Sequence, residues 1–125
     1  MSEKSKIRVP RFFALAGGAA LVNVALFLIG QAIGATYDVS DQAQVTVGLV
    51  IGATVAPLAL GLGLALLSAK FAPKALPVLV WGGFIVALAS APAPWVMSGD
   101  TATGIALGLM HVSAGFAWFF GVKAK

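Results

Sequence analysis

Residues 45–67 read VTVGLVIGATVAPLALGLGLALL, and this stretch carries no Asp, Glu, Lys or Arg. A helix needs roughly 20 consecutive apolar residues to cross a hydrocarbon core about 30 Å thick. The apolar residues form a continuous run instead of alternating with polar ones, which argues against a strand of a membrane barrel. The stretch therefore predicts a transmembrane α-helix.

Three further stretches share these properties and lie at about residues 12–33, 75–91 and 102–122. Over the whole chain of 125 residues, 60% are hydrophobic and only 10% are charged. Soluble domains carry about 25% charged residues, so this chain has too few polar side chains to cover a surface in contact with water. The sequence predicts one all-α domain over residues 1–125, a membrane-spanning four-helix bundle.

The basic residues indicate the direction of the spans. With four spans, one side of the membrane carries all of them, namely Lys4, Lys6, Arg8, Arg11, Lys70, Lys74, Lys123 and Lys125, and the other side carries Asp38, Asp41 and Asp100. An excess of Lys and Arg marks the cytoplasmic side. We therefore expect both termini and the middle link in the cytoplasm, as in a multi-pass protein of the bacterial inner (plasma) membrane. Three or five spans would divide the basic residues between the two sides.

A cleaved signal peptide is the competing interpretation of the first stretch, because basic residues precede it and small residues follow near residues 30–35. Its apolar run is longer than the roughly 7–15 residues usual for a signal-peptide core. We expect the first helix to be retained.

The links between the spans are short, which predicts that consecutive helices are antiparallel neighbours. Asp100 or Thr101 is expected to cap the fourth helix, and Pro57 is expected to kink the second. Amphipathic aromatic side chains favour membrane interfaces. On this basis the outer interface is expected to hold Tyr37 and Trp95, and the inner one Phe12, Phe13, Phe71, Trp118, Phe119 and Phe120.

Small residues spaced four positions apart predict close helix packing, because they let two backbones approach each other in lipid. The pattern occurs at Gly30/Gly34, Gly48/Gly52 and Gly104/Gly108, and Gly115 continues the last of these stripes. It does not distinguish contacts within the chain from contacts with another subunit, and both remain open.

A polar centre is predicted near the middle of the bundle. His111 is the only histidine and lies near the centre of the fourth span, and Asn23 and Thr54 reach a similar depth in the first and second. Polar groups at that depth usually face the bundle interior, so the three are expected to form one cluster. Its role can be a structural brace, a contact for a quinone, lipid headgroup or other small molecule, or proton handling by His111.

Several chemistries lack support in the sequence. One histidine, with no cysteine and no carboxylate inside a span, supplies neither a catalytic triad nor a usual zinc site. We therefore expect no catalytic activity, no cofactor and no metal. Because the basic residues sit at span ends, the net charge of +4 is explained by topology, and no nucleic-acid partner is expected.

The third and fourth stretches contain Trp81, Ser90-Ala91-Pro92 and Leu107-Gly108-Leu109-Met110-His111-Val112. With these features the chain resembles a family of uncharacterised small four-helix membrane proteins found mainly in actinobacteria. The resemblance implies that His111 belongs to a family feature. A second likeness, at Arg11-Phe12, Gly17-Gly18 and Val22-Asn23, is to GtrA-like proteins linked to the movement of polyprenyl-linked sugars, whose later basic and asparagine-containing segment is missing here.

Two functions are compatible with these features. The first is an accessory or interaction subunit of a membrane complex, whose partners are membrane lipids and either another membrane protein or further copies of the same chain. The alternative is a small component of a transporter or flippase for a lipid-linked or small-molecule substrate, using the polar centre at His111.

Overall fold

The computed structural model describes residues 7–40, 43–94 and 100–122. Four α-helices follow one another: α1 (Val9–Ala32), α2 (Val47–Phe71), α3 (Leu76–Ser90) and α4 (Thr101–Val122), with a 3-10 turn at Pro73–Ala75 before α3. Together with that turn, all four are long and apolar enough to cross a membrane. The prediction of an all-α, four-helix membrane protein is confirmed.

The helix ends follow from local chemistry. α1 begins at Val9 because Pro10 fits the first helical turn. At the start of α2, the Thr46 hydroxyl accepts a hydrogen bond from the Leu49 amide at 3.2 Å. The same helix ends at Phe71 because the next residue precedes Pro73 and is pushed out of the helical region. Pro57 lies inside α2, which continues on both sides of it.

A Schellman motif closes α1. The amide of Ala35 donates to the carbonyl of Gly30 at 2.8 Å, and the amide of Gly34 donates to the carbonyl of Gln31 at 3.2 Å. Gly34 has a φ of 103°, which an L side chain rarely adopts. The chain then forms a short antiparallel hairpin of β1 (Asp38–Ser40) and β2 (Ala43–Gln44) outside the spans.

The two ends of the bundle differ in charge. Of the described residues, Arg8, Arg11, Lys70 and Lys74 lie at or beside the start of α1 and the α2–α3 link, which we call the basic end. The opposite, acidic end carries Asp38 and Asp100. Lys4, Lys6, Asp41, Trp95, Lys123 and Lys125 lie outside the described residues.

The four helices do not pack as an even ring. The most extensive contact joins α1 to α4, α3 packs on α4, and α2 packs on α1, whereas α2 and α3 touch little. Consecutive helices are therefore in contact, as expected, but α2 and α3 form the least packed of these pairs. The ring of Trp118 of α4 lies against Gly61 of α2 and Gly83 of α3, between the two helices.

Trp118 also bonds to α3. Its indole N–H donates to the carbonyl oxygens of Leu79 at 3.2 Å and Val80 at 3.0 Å in α3. The half-buried side chain is therefore a packing element between helices, and its placement near the inner membrane interface stays a prediction. Phe12 is buried against Gly121 of α4.

Two hydrophobic clusters fill the bundle. The cluster at the basic end draws on all four helices and includes Leu58, Leu62, Leu76 and Ala117. The cluster at the acidic end consists of Phe27, Tyr37, Val50, Ala106 and Met110, and no described residue of α3 belongs to it. As a result, the acidic half of the bundle is more open between α2 and the α3–α4 pair.

Candidate functional site

A cleft of about 180 Å³ lies between α2 and α4, with Asn23 of α1 also lining it; we call it the polar cleft. Its lining comprises Asn23, Val45, Leu49, Val50, Ala53, Thr54, Leu107, Met110, His111 and Ala114. The lining is apolar apart from three side chains, which are the three residues proposed from sequence as the polar centre. The polar cleft lies in the more open half of the bundle.

Asn23 and Thr54 form a hydrogen-bonded pair in the polar cleft. The Asn23 Nδ2 atom donates to Thr54 Oγ1 at 2.8 Å, and Thr54 Oγ1 donates to the carbonyl oxygen of Val50 at 2.7 Å. Both side chains are buried, with Asn23 only 2% exposed. Within the described part of the chain, no group donates a hydrogen bond to Asn23 Oδ1. This leaves a buried acceptor oxygen at the cleft.

His111 lines the same cleft but binds a different partner. Its Nδ1 atom lies 3.2 Å from the Ser90 hydroxyl oxygen. The same hydroxyl lies 2.9 Å from the carbonyl oxygen of Ala87, to which it donates. That bond favours the neutral tautomer with the proton on Nδ1, in which Nε2 is the acceptor nitrogen.

Ser90 is not among the residues predicted for the polar centre. Its pairing with His111 depends on the antiparallel register of α3 and α4, which places the carbonyl oxygen of Ala91 beside Gly108. The available signal was a polar residue near a helix end that a proline follows. This signal does not give the register of α3 against α4.

Pro57 adds a further acceptor near the cleft. Proline has no N–H, so it cannot donate the usual helical hydrogen bond to the carbonyl oxygen of Ala53 four residues earlier. Ala53 lines the polar cleft. The carbonyl oxygen of Ala53 therefore lacks the helical donor that another residue at position 57 would supply.

A family model described as a family of unknown function (DUF6069) matches residues 3–125. The chain belongs to the DUF6069 family. No curated protein matches this DUF6069 chain, and no solved structure matches it. The prediction of an uncharacterised family is confirmed, while the actinobacterial origin and the likeness to GtrA-like proteins stay predictions.

Some of the glycines proposed for packing in this DUF6069 protein lie at helix contacts. A Cβ atom on Gly30 would meet Tyr37 and Ala106, one on Gly108 would lie 2.8 Å from the carbonyl oxygen of Ala91, and one on Gly115 would lie 3.0 Å from the Ala87 side chain. Gly104 is buried in α4. These positions hold α4 against α1 and α3.

Three other glycines proposed for packing do not lie at a helix contact within the chain. A Cβ atom on Gly52 or Gly34 would meet nothing within 4 Å, and one on Gly48 would meet only the Thr46 hydroxyl of its own helix end. Gly34 serves the Schellman motif through its positive φ. Gly48 and Gly52 face away from the bundle because the opposite side of α2 carries the buried residues.

A second polar network at the acidic end was not predicted as a unit. Asp100 accepts hydrogen bonds from the Thr36 hydroxyl at 2.7 Å and from the Thr103 amide at 2.9 Å, which confirms Asp100 as a cap of α4. The Thr103 hydroxyl donates to Asp100 and accepts from the Tyr37 amide at 2.9 Å. The network ties the end of α1 to the start of α4.

Tyr37 lies within this network as a buried side chain, and its placement near the outer membrane interface stays a prediction. The side chain is 1% exposed, its ring stacks on Phe27 at 4.3 Å, and its hydroxyl donates to the carbonyl oxygen of Phe27 at 2.7 Å. The φ of 59° at Tyr37 turns the chain back toward the bundle. A fold-back in the loop could not be deduced from the depth of a single aromatic residue.

The electrostatics of this network favour a charged aspartate and a neutral tyrosine. The Thr36 hydroxyl, and then the Thr103 amide, hold the pKa of Asp100 below its ordinary value by donating hydrogen bonds to the carboxylate. Burial, and then the nearby Asp100 charge, raise the pKa of Tyr37. Both effects preserve the hydrogen bonds described above near neutral pH.

Proposed function

We propose that this DUF6069 protein is an accessory or interaction subunit of a membrane complex, with no catalytic activity of its own. The observation that carries the proposal is a row of small residues on the outer face of α2. We call this row the α2 stripe, and it consists of Gly48, Gly52, Ala56, Ala59 and Gly63.

The α2 stripe is continuous and exposed. Its members follow one another at spacings of four, four, three and four residues, so they share an arc of roughly 80° on the helix surface. All five are exposed, and a Cβ atom on Gly52 or Gly63 would meet nothing within 4 Å. The buried residues of α2, such as Thr54 and Leu58, lie outside this arc.

The α2 stripe favours contact with a further transmembrane helix. Glycine in a helix interior lowers helix stability by about 0.5–1 kcal/mol relative to alanine. The three glycines of the exposed row therefore destabilise α2, and no packing contact among the described residues compensates for this loss. In lipid, small residues allow the close backbone contact that drives helix association. A partner helix, from another membrane protein or from a second copy, would use that surface.

The placement of the reactive side chains agrees with a role without catalysis. The acidic residues of the described chain, Asp38 and Asp100, lie outside the four helices, and His111 is the only histidine of a chain without cysteine. The arrangement of the basic end supports an orientation with both termini in the cytoplasm of a bacterium, as the positive-inside rule requires.

A transporter or flippase component is the second candidate, and the polar cleft favours it. A transport path would have to continue from the cleft to the basic end. There, Leu58, Leu62, Ala65 and Ala117 pack into the cluster shared by all four helices. Because the basic half is filled, a ligand could bind in the polar cleft but would find no path through the described part of the bundle. We therefore rank the interaction role first.

The interaction role is tested by changing the α2 stripe. Gly52→Leu is expected to weaken association about tenfold, because the new side chain holds a partner backbone away. The matched control is Gly17→Leu, which is also an exposed glycine with no neighbour within 4 Å of a Cβ atom. The measurement is the mass and composition of the assembly extracted in native lipid discs, by native mass spectrometry.

We expect the unchanged protein and Gly17→Leu to retain a second membrane chain in fixed stoichiometry and Gly52→Leu to lose it. The interaction role would be rejected if the unchanged protein and both variants were all monomeric without a partner chain. It would also be rejected if Gly52→Leu retained the partner. In that case, movement of a labelled lipid or solute in vesicles would decide on the second candidate.

A further inference from the structure

We infer that the polar cleft binds the hydroxyl group of a small, membrane-soluble phenol or alcohol. The site is distinct from the α2 stripe, and the inference requires neither a partner protein nor transport. Its basis is the hydrogen-bonding character of the cleft, its size and its access to lipid.

The polar cleft offers acceptors that lack donors. Asn23 Oδ1 is buried and receives no hydrogen bond from the described residues. His111 Nε2 is also an acceptor in the neutral tautomer with the proton on Nδ1, which the Ser90 hydroxyl favours. A buried polar atom without a partner is costly, so a donor that reaches Asn23 Oδ1 would be bound favourably.

Most of the neighbouring donors are already used within the protein. The Thr54 hydroxyl donates to Val50, the Ser90 hydroxyl donates to Ala87, and one of the two hydrogens of Asn23 Nδ2 goes to Thr54. With its proton on Nδ1, His111 donates to Ser90. A ligand that brings only acceptors, such as an oxidised quinone or an ether, would face two acceptors in the cleft. A ligand with an O–H group brings one hydrogen, which one of these two acceptors can receive.

The size of the cleft restricts the group that can enter. An apolar cavity of about 150 Å³ is known to hold benzene, and the polar cleft has about 180 Å³. Leu49, Leu107 and Met110 supply apolar walls around the acceptors. These dimensions fit one ring or a short branched alcohol, and exclude a complete phospholipid headgroup with its glycerol.

Access comes from the side of the bundle. Leu49 and Ala53 line the cleft and are also exposed on the surface of α2. No described residue of α3 joins the cluster that closes the acidic half. A hydrophobic tail attached to the bound ring would therefore pass directly into the surrounding lipid.

An ordered water is the competing occupant, because it could also donate to Asn23 Oδ1. The two possibilities differ in one respect. A water leaves the affinity for a phenol and for its methyl ether equal, whereas a hydroxyl-binding cleft prefers the phenol. The comparison of these two probes therefore decides between them.

The test uses the full chain in lipid nanodiscs with nitrogen-15-labelled histidine, which reports on one residue because His111 is the only histidine. The probes are para-hexylphenol and its methyl ether. We expect the phenol to shift the Nε2 resonance saturably, and the ether to bind roughly tenfold more weakly or not at all. Equal affinities for the two probes, or no shift with the phenol, would overturn the inference.

A pair of variants locates the site. Ala53→Leu fills the cleft from an exposed position and is expected to abolish the shift, whereas Ala25→Leu adds the same side chain to an exposed position of α1 outside the cleft and should leave it unchanged. Undiminished phenol binding by Ala53→Leu would place the phenol elsewhere and reject the site. The comparison of probes on the unchanged protein does not depend on the folding of either variant.

Discussion

Replacing Tyr37 with alanine is expected to lower the free energy of unfolding by about 3–5 kcal/mol, the range for removing a large aromatic side chain from a packed core. Tyr37 is one of the most completely buried large side chains, and its ring stacks on Phe27. Its hydroxyl is satisfied by donating to the Phe27 carbonyl near the end of α1. The measurement is unfolding in mixed micelles, followed by circular dichroism.

Two controls separate the causes. Tyr37→Phe keeps the ring and loses only the hydroxyl, so we expect a loss of about 1 kcal/mol. Leu60→Ala removes a large side chain that is 74% exposed on the surface of α2, so it should change stability little. If Tyr37→Ala were as stable as Leu60→Ala, the loop would not be folded into the acidic end as described.

Gly108→Leu is expected to destabilise the bundle by about 1–3 kcal/mol, the usual cost of overpacking. A Cβ atom there would lie 2.8 Å from the Ala91 carbonyl oxygen, which belongs to the backbone and cannot rotate away. α3 must therefore move from α4, and the Ser90–His111 hydrogen bond near this contact should break. Unfolding in micelles gives the first effect, and the Nδ1 resonance of labelled His111 gives the second.

Gly82→Leu is the matched control, because a Cβ atom on Gly82 of α3 would meet nothing within 4 Å. It should leave both stability and the histidine resonance unchanged. A Gly108→Leu variant with unaltered stability and resonance would show that α3 and α4 do not approach each other at this level.

The number, type and approximate bounds of the helices could be predicted because lipid selects continuous apolar runs. The start of α4 was recognisable because its chemistry is local, with Asp100 or Thr101 expected as its cap. The end of α2 lies at Phe71, beyond the predicted residue 67, and Pro73 explains it. What composition did not reveal is which face of each helix packs, because helices that are apolar on all sides give little contrast between buried and lipid-exposed positions.

The glycine pattern illustrates this limit. Gly30 and Gly52 belong to pairs with the same spacing, yet Gly30 lies against Tyr37, whereas a Cβ atom on Gly52 would meet none of the described residues within 4 Å. The difference depends on which face of each helix is turned inward, since Gly30 also lies against Ala106 of α4, whereas Gly52 lies opposite the buried residues of α2. Spacing along one helix carries no information about which of its faces meets another helix.

The polar centre was more accessible to prediction, since depth alone brings Asn23, Thr54 and His111 to one level. All three line the polar cleft. Their individual hydrogen bonds depend on helix register, so neither the pairing of Asn23 with Thr54 nor the role of Ser90 followed from depth.

The central claim is that the chain crosses a membrane four times with its basic end in the cytoplasm. Since the chain has no cysteine, single cysteines can be introduced at Ser2, Lys74 and Asp38 and exposed to an impermeant thiol reagent in intact cells. We predict that the cysteine at Asp38 is labelled and that those at Ser2 and Lys74 are labelled only after the cells are permeabilised. Labelling of Ser2 or Lys74 from outside would contradict the account.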